Sequence, residues 1–124
     1  MGHIYADITC LGPNGKQAGL RLLVDTGASY TWLPRRLLES LGVTPTRTMS
    51  FDVGDNRSIR RRVGELVVGI SGFRATTVVV FAGKNDANVI GQNALLGLAL
   101  EVDPRRERLR PAAKMLFYPA MAVA

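Results

Sequence analysis

The sequence contains one cysteine and one histidine, Cys10 and His3. A single cysteine forms no disulfide within the chain and builds no cysteine cluster for zinc. Cys10 alternates with Ile4, Ala6 and Ile8, which predicts a thiol buried on one face of a strand rather than a nucleophile. With one histidine close to the N-terminus, Ser-His-Asp and Cys-His mechanisms lack a base within one chain, and a histidine-rich metal site lacks ligands. No metal and no cofactor are expected. Carboxylates are left as the candidates for acid–base chemistry.

Long apolar runs are missing too. The longest, Thr77 to Ala82 and Ala94 to Leu100, are far too short to span a bilayer, so no membrane partner is expected. The opening "MGHIYADITC" has no basic segment followed by a long apolar one. No signal peptide is therefore expected, and the cytoplasm is the expected location. Internal repeats and low-complexity segments are absent.

Charge is one-sided, with a net +6. The basic residues cluster at Arg57, Arg60, Arg61 and Arg62, and again at Arg105, Arg106, Arg108 and Arg110. Such clusters attract nucleic acid or acidic peptides. Here no aromatic residues interleave with them and no nucleic-acid motif accompanies them. They read as solvated strand faces, and no nucleic-acid partner is expected; binding to DNA or RNA that fell steeply with salt would mark the other reading.

What is present fits one globular domain. A length of 124 residues is too short for two ordinary domains, and 47% hydrophobic with 21% charged residues excludes a disordered chain. The core of so short a chain is modest, which leaves room for help from a second subunit. Residues 1–124 form the expected domain, with the apolar 113–124 stretch as a tail, a swapped strand or an interface segment.

The pattern is mostly strands divided by turn residues. Ile4 to Leu11 alternates, "GPNGK" turns the chain, and Gly19 to Val24 follows as a more apolar strand that ends at Asp25. Tyr30 to Leu33 is extended. Pro34 can open a helix carrying Leu37, Leu38 and Leu41, with Gly42 as its stop. Thr46 to Val53 and Ile59 to Val63 flank "GDNRS", a hairpin with Gly54, Asp55 and Asn56 near its tip. Glu65 to Ile70 and Phe73 to Phe81 flank "SG", another hairpin. "AGKNDAN" is a polar loop. "VIGQNALLGLAL" begins as a buried strand and becomes a helix after Gly91. "LEVDPRRERLRP" makes a last pair of strands around a turn at Asp103-Pro104. The class is all-β with one or two short helices.

The segment "LLVDTGASYTWLP", Leu22 to Pro34, puts an acid directly after an apolar strand. That strand is expected to carry Asp25 inside, away from bulk water. Gly27 permits a tight turn and a close backbone approach, and the Thr26 hydroxyl can satisfy backbone groups in the turn. An isolated buried carboxylate is costly. Two side by side share one proton, so that one acts as base and the other as acid.

"LLVDTGAS" resembles the signature of aspartic proteases, and "DTGASYTWLP" is similar to the longer pepsin-type run. "NVIGQNALL" is similar to the apolar-apolar-Gly segment and short helix of retropepsins. The stretch "VGDNRSIRRRVGELVVGISG" resembles their flap and the strand after it, and "LEVDPRRERLRP" the closing hairpin of prokaryotic retropepsin-like proteases. The likeness covers residues 4–111 with the motifs in order. It implies a retropepsin-like half-barrel completed as a two-fold homodimer, acting as an aspartic endopeptidase on extended peptides. Asp25, Thr26 and Gly27 would be the catalytic residues. Two Asp25 carboxylates, one per subunit, would activate a water, and Thr26 would bond across the axis to the opposite loop. Gly27, Ala28 and Ser29 would border the substrate, Ser29 having a second reading as a turn stabiliser. The flap residues Gly54, Asp55 and Asn56 would close over the substrate. Gly91 would lie beneath the catalytic turn. Trp32 would pack in the core or against the flap base, and Leu95, Leu96, Leu98 and Leu100 in the core or an interface.

Two departures accompany the likeness. There is no second Asp-Thr-Gly, and Asp52-Val53-Gly54 follows Ser50-Phe51 instead of an apolar run, so it reads as flap. A single copy is what makes the implied active site bimolecular. The flap tip carries Asp55 and Asn56 where viral enzymes are glycine-rich. The alternative is a module of the same fold that binds peptide or dimerises without turnover.

Overall fold

The computed structural model of the chain describes residues 3–120. Over these residues the order is β1 (Tyr5–Leu11), β2 (Gln17–Val24), β3 (Thr31–Pro34), α1 (Arg35–Ser40), β4 (Arg47–Gly54), β5 (Arg57–Ile70), β6 (Phe73–Ala82), β7 (Val89–Ile90), α2 (Gln92–Leu98), β8 (Leu100–Asp103) and β9 (Arg108–Pro111). One sheet has the order β1-β2-β7-β3-β6-β5-β4, and β1 also pairs with β5. The strands from β1 to β5 thereby close a ring, with β4 hanging outside on β5. The β8–β9 hairpin forms a separate small sheet. This is the expected all-β half-barrel with two short helices.

Period-two patterning builds the ring. Along β1, Ile8 and Cys10 turn inward while Tyr5, Asp7 and Thr9 face out. Burial pushes the Cys10 thiol up to about 11, which leaves it an inert core group. Leu33, Leu38, Val68, Val79 and Ile90 lie with it in one core cluster. Each fully buried aliphatic side chain of this kind contributes about 2 kcal/mol by leaving water. The helices seal the cluster: α1 through Leu38, α2 through Ala94, Leu95 and Leu98. Leu96, expected in the core or an interface, is half-exposed on α2.

Local chemistry sets the element ends. Pro34 closes β3 and stands as the N-cap of α1, with φ −54° and ψ 131°. Gly42 takes a φ of +80° just past α1, the left-handed turn expected of a helix stop. One boundary differs from the sequence expectation. Val63 and Glu65 belong to a single uninterrupted β5, not to two strands divided at Gly64. Gly64 is there for packing: a Cβ would stand 3.0 Å from both the Thr44 carbonyl oxygen and a Val43 methyl.

Only part of β5 is anchored in the ring. Its pairing with β6 runs from Val63–Val80 to Ile70–Phe73. Between Arg57 and Arg62 its pairing within the sheet is with β4 alone, through Met49–Arg61, Ser50–Arg60 and Phe51–Ile59. The result is a two-stranded flap. Its loop, Asp55-Asn56, has φ of +53° and +56°, matching a two-residue hairpin turn that tolerates Asp and Asn.

Among the described residues after β9, 112–120, there is no regular structure, and Leu116, Phe117 and Tyr118 are almost fully exposed. The last four residues of the apolar stretch, 121–124, lie outside the described residues.

Candidate active site

The end of β2 is held between two strands. On one side it pairs antiparallel with β1, Tyr5 opposite Leu23; on the other it runs parallel to β7, with Leu23 and Val24 opposite Val89 and Ile90. Asp25 is the next residue, and its N–H donates to the Ile90 carbonyl at 2.9 Å. The turn closes on itself. The Ala28 N–H donates to the Asp25 carbonyl at 3.2 Å, and the Gly27 N–H donates to Asp25 Oδ1 at 2.9 Å. The carboxylate is thus oriented by its own turn.

The turn rests on the start of α2. The Gln92 and Asn93 N–H groups donate to the Ala28 and Ser29 carbonyls at 2.8 and 3.0 Å. These are N–H groups that a helix start leaves without an internal partner. Gly91 lies directly under the turn, as the resemblance implies. A Cβ there would collide with the Tyr30 carbonyl and lie 2.9 Å from the Ala28 carbonyl oxygen. The Gly91 N–H donates to Thr31 Oγ1 at 3.1 Å, and Thr31 is wholly buried. Thr31 was not anticipated as part of the site. Its signal was a hydroxyl between Tyr30 and Trp32, at the same strand parity as buried Leu33.

Above the turn is a cleft of about 820 Å³. Its floor includes Asp25, Gly27, Ala28 and Ser29, and its roof is the inner face of the flap, Met49, Phe51, Ile59 and Arg61. Trp32 joins floor to roof, its ring 5.0 Å from that of Phe51 and roughly edge-on, so it packs against the flap base as expected. Most of the lining is apolar, which suits a peptide side chain.

The other expected residues are more open to solvent. Thr26 and Gly27 are exposed and Asp25 is half-buried, not carried fully inside. The reason is that β2 ends at Val24 and the turn stands at the open floor of the cleft, covered by one flap alone. Thr26 is not among the lining residues, and neither are Gly54, Asp55 and Asn56, which occupy the exposed far end of the flap. From the flap it is Asp52, Val53 and Arg57 that reach the cleft.

Three carboxylates line the cleft, and two are engaged elsewhere. Asp52 Oδ1 accepts from the Gly54 N–H at 2.8 Å, stabilising the flap turn. Asp86 accepts from Arg61 Nε at 2.6 Å and Nη2 at 3.0 Å, and from the Gly83 N–H at 2.6 Å. The Arg61 hydrogen bonds are the main reason why the Asp86 carboxyl sits below the usual carboxylate range; the Gly83 N–H adds to them and partial burial opposes. Arg61 had read as one more solvated arginine of its cluster; it is instead half-buried and paired. Arg110 likewise pairs with Glu101 at 2.7 Å. Among the described residues, no group of three or more His, Cys, Asp or Glu is placed to hold a metal ion.

A family model described as Aspartyl protease matches residues 9–94, a span that runs from β1 into α2 and includes the Asp25 turn, the flap and Gly91. No match to a curated protein is found.

Proposed function

The chain belongs to the aspartyl protease family, and on that premise we propose that it is an endopeptidase assembled as a two-fold homodimer, with one Asp25 from each subunit. The observation that carries this reading is the state of the three cleft carboxylates. Asp86 is held by Arg61 and Asp52 is fixed on the flap turn by the Gly54 N–H, and neither is hydrogen-bonded to Asp25, whose Oδ1 accepts from Gly27. Acid–base hydrolysis by carboxylates needs two at one site. A second copy supplies the missing one, and would also cover the half-exposed turn.

The chemistry is then water addition. The two Asp25 carboxyl groups hold a water and one proton between them. The ionised one takes a proton from the water as its oxygen attacks the peptide carbonyl, while the protonated one donates to the carbonyl oxygen. Collapse of the tetrahedral species returns a proton to the leaving nitrogen. Gly27 leaves room for the substrate backbone, Ala28 and Ser29 border it, and Thr26, exposed beside the carboxylate, reaches the partner loop. The flap, with Gly54, Asp55 and Asn56 at its tip, closes over an extended peptide and excludes water.

Cleavage profiling on a peptide library, read by mass spectrometry, tests the proposal. Asp25→Asn is expected to lower cleavage by about 10³-fold or more while the variant keeps its fold and its association state. Cleavage by Asp25→Asn at the parent's rate sinks the assignment. Peptide retention by the parent with no cleavage from acidic to neutral pH would favour a binding module instead.

A further inference from the structure

The flap needs an anchor that the sheet does not supply. Beyond Val63 it is a two-stranded ribbon, and an isolated hairpin is marginal in water. On its inner face, Met49, Phe51 and Ile59 are apolar, and Arg57 and Arg61 are charged. Arg61 lies two positions past the last β5–β6 pair, and its guanidinium reaches out of the ribbon to Asp86. That residue sits in the loop between β6 and β7, outside the flap.

The contact is built with care for geometry. Nε and Nη2 of Arg61 meet the two oxygens of Asp86 in a fork, at 2.6 and 3.0 Å. Nη1 donates back to the Arg60 carbonyl at 2.8 Å, which fixes the guanidinium plane. On the loop side, the Asp86 N–H donates to the Gly83 carbonyl and its carboxylate accepts from the Gly83 N–H, closing a small turn around the acid. Gly83 leaves space for the pair: a Cβ there would stand 3.2 Å from Asp86 Oδ2 and 3.6 Å from Arg61 Nε. The side chains are 29% and 13% exposed, so the pair is partly withdrawn from solvent screening.

We infer that the Arg61–Asp86 fork is a latch that ties the flap base to the 83–88 loop and so sets the height of the cleft for the incoming peptide. Both partners line the cleft, and neither is a catalytic residue. The latch moves the flap's polar tie outward from Val63 to Arg61; with Phe51 packed on Trp32 and Tyr30, the stretch from Asp52 to Ser58 is left to open and close. It also holds Ala87, next along the loop, at the cleft wall. Arg61 and Asp86 are positioning residues for substrate binding.

The test combines native-state hydrogen exchange with peptide kinetics in Asp86→Asn, Arg61→Met and Arg61→Lys, all as full chains. Exchange does not depend on cleavage; only the kinetic arm rests on the peptidase reading. Asp86→Asn and Arg61→Met are expected to speed amide exchange in residues 57–62 by about fivefold, with β1 and β2 unchanged. They are expected to raise KM by a similar factor and leave kcat within about twofold. Arg61→Lys, which keeps the charge but not the fork, should fall between. If Asp86→Asn does not fold, Arg61→Met and Arg61→Lys carry the same comparison. Flap exchange equal to the parent's, exchange raised equally throughout the protein, or a fall in kcat at constant KM would each overturn the latch. A parent that never cleaves, with the local change in exchange intact, would overturn the peptidase reading and leave the latch standing.

Discussion

The floor and the roof of the cleft are made in opposite ways. The floor is a knot of backbone. Asp25, Ala28 and Ser29 are tied to Ile90, Gln92 and Asn93, and Gly91 is pressed under the turn with its N–H on Thr31. The roof is a ribbon held by side chains: Phe51 against Trp32 at 5.0 Å and Tyr30 at 6.3 Å, and Arg61 on Asp86. Backbone bonds and a steric stop leave few alternative arrangements, whereas side-chain contacts break singly. A reacting carboxylate needs the first kind of support and a cover that admits substrate needs the second.

The strongest way to break this comparison is to place one methyl group on each side. Gly91→Ala forces a Cβ into the Tyr30 carbonyl, where backbone on both sides blocks relief. A loss of about 3 kcal/mol is expected. Gly54→Ala meets nothing within 4 Å and suffers only from its φ of +87°, a cost of about 1 kcal/mol. Urea unfolding of both variants checks this. Equal losses would mean that the floor is no more rigid than the flap tip.

Thr31→Val sharpens the account of the floor. The two side chains have nearly the same shape, so the change removes the acceptor for the Gly91 N–H and little else. An unpartnered buried amide costs about 1–3 kcal/mol. The same unfolding measurement applies, and a variant as stable as the parent would show that the floor does not depend on this bond.

How much of this was legible in the sequence follows the same division. The Asp25 turn, the apolar strand before it and Gly91 under it follow a local pattern in which residue type and order carry the chemistry, and they were legible together. So were Cys10 in the core and Trp32 against the flap, since each sits on a strand whose alternation decides its face. Arg61 was misread because its partner lies across the fold at Asp86, and composition cannot tell a paired arginine from a solvated one. Thr31 was missed for a related reason: a threonine in a strand is ordinary until the amide facing it is known. Within the single chain Asp25 is only half-buried, because an apolar strand buries its own residues and not the turn beyond them. Gly64 was read as a break because a glycine required by packing and one required by a turn look alike.

The smallest expected effect concerns the roof and its pH dependence. Asp86 has its carboxyl held below the ordinary range, chiefly by Arg61. For a depressed carboxylate the stabilisation is complete above the unfolded value, about 3.9. It is lost as pH falls through the lower folded value. The stability difference between the parent and Asp86→Asn should therefore be flat from neutral pH to about 4.5 and shrink below about 3.9. With two side chains still touched by solvent, its plateau should be about 1 kcal/mol or less. Urea unfolding across the pH series, taken as a difference between the two proteins, isolates this group from the other carboxylates. A difference that grew on acidification would reverse the sign and mean that the Asp86 carboxylate opposes the fold. Pairing with Arg61 lowers the pH at which the Asp86 carboxylate takes up a proton, so the roof stays tied to a more acidic pH than an unpaired carboxylate would allow.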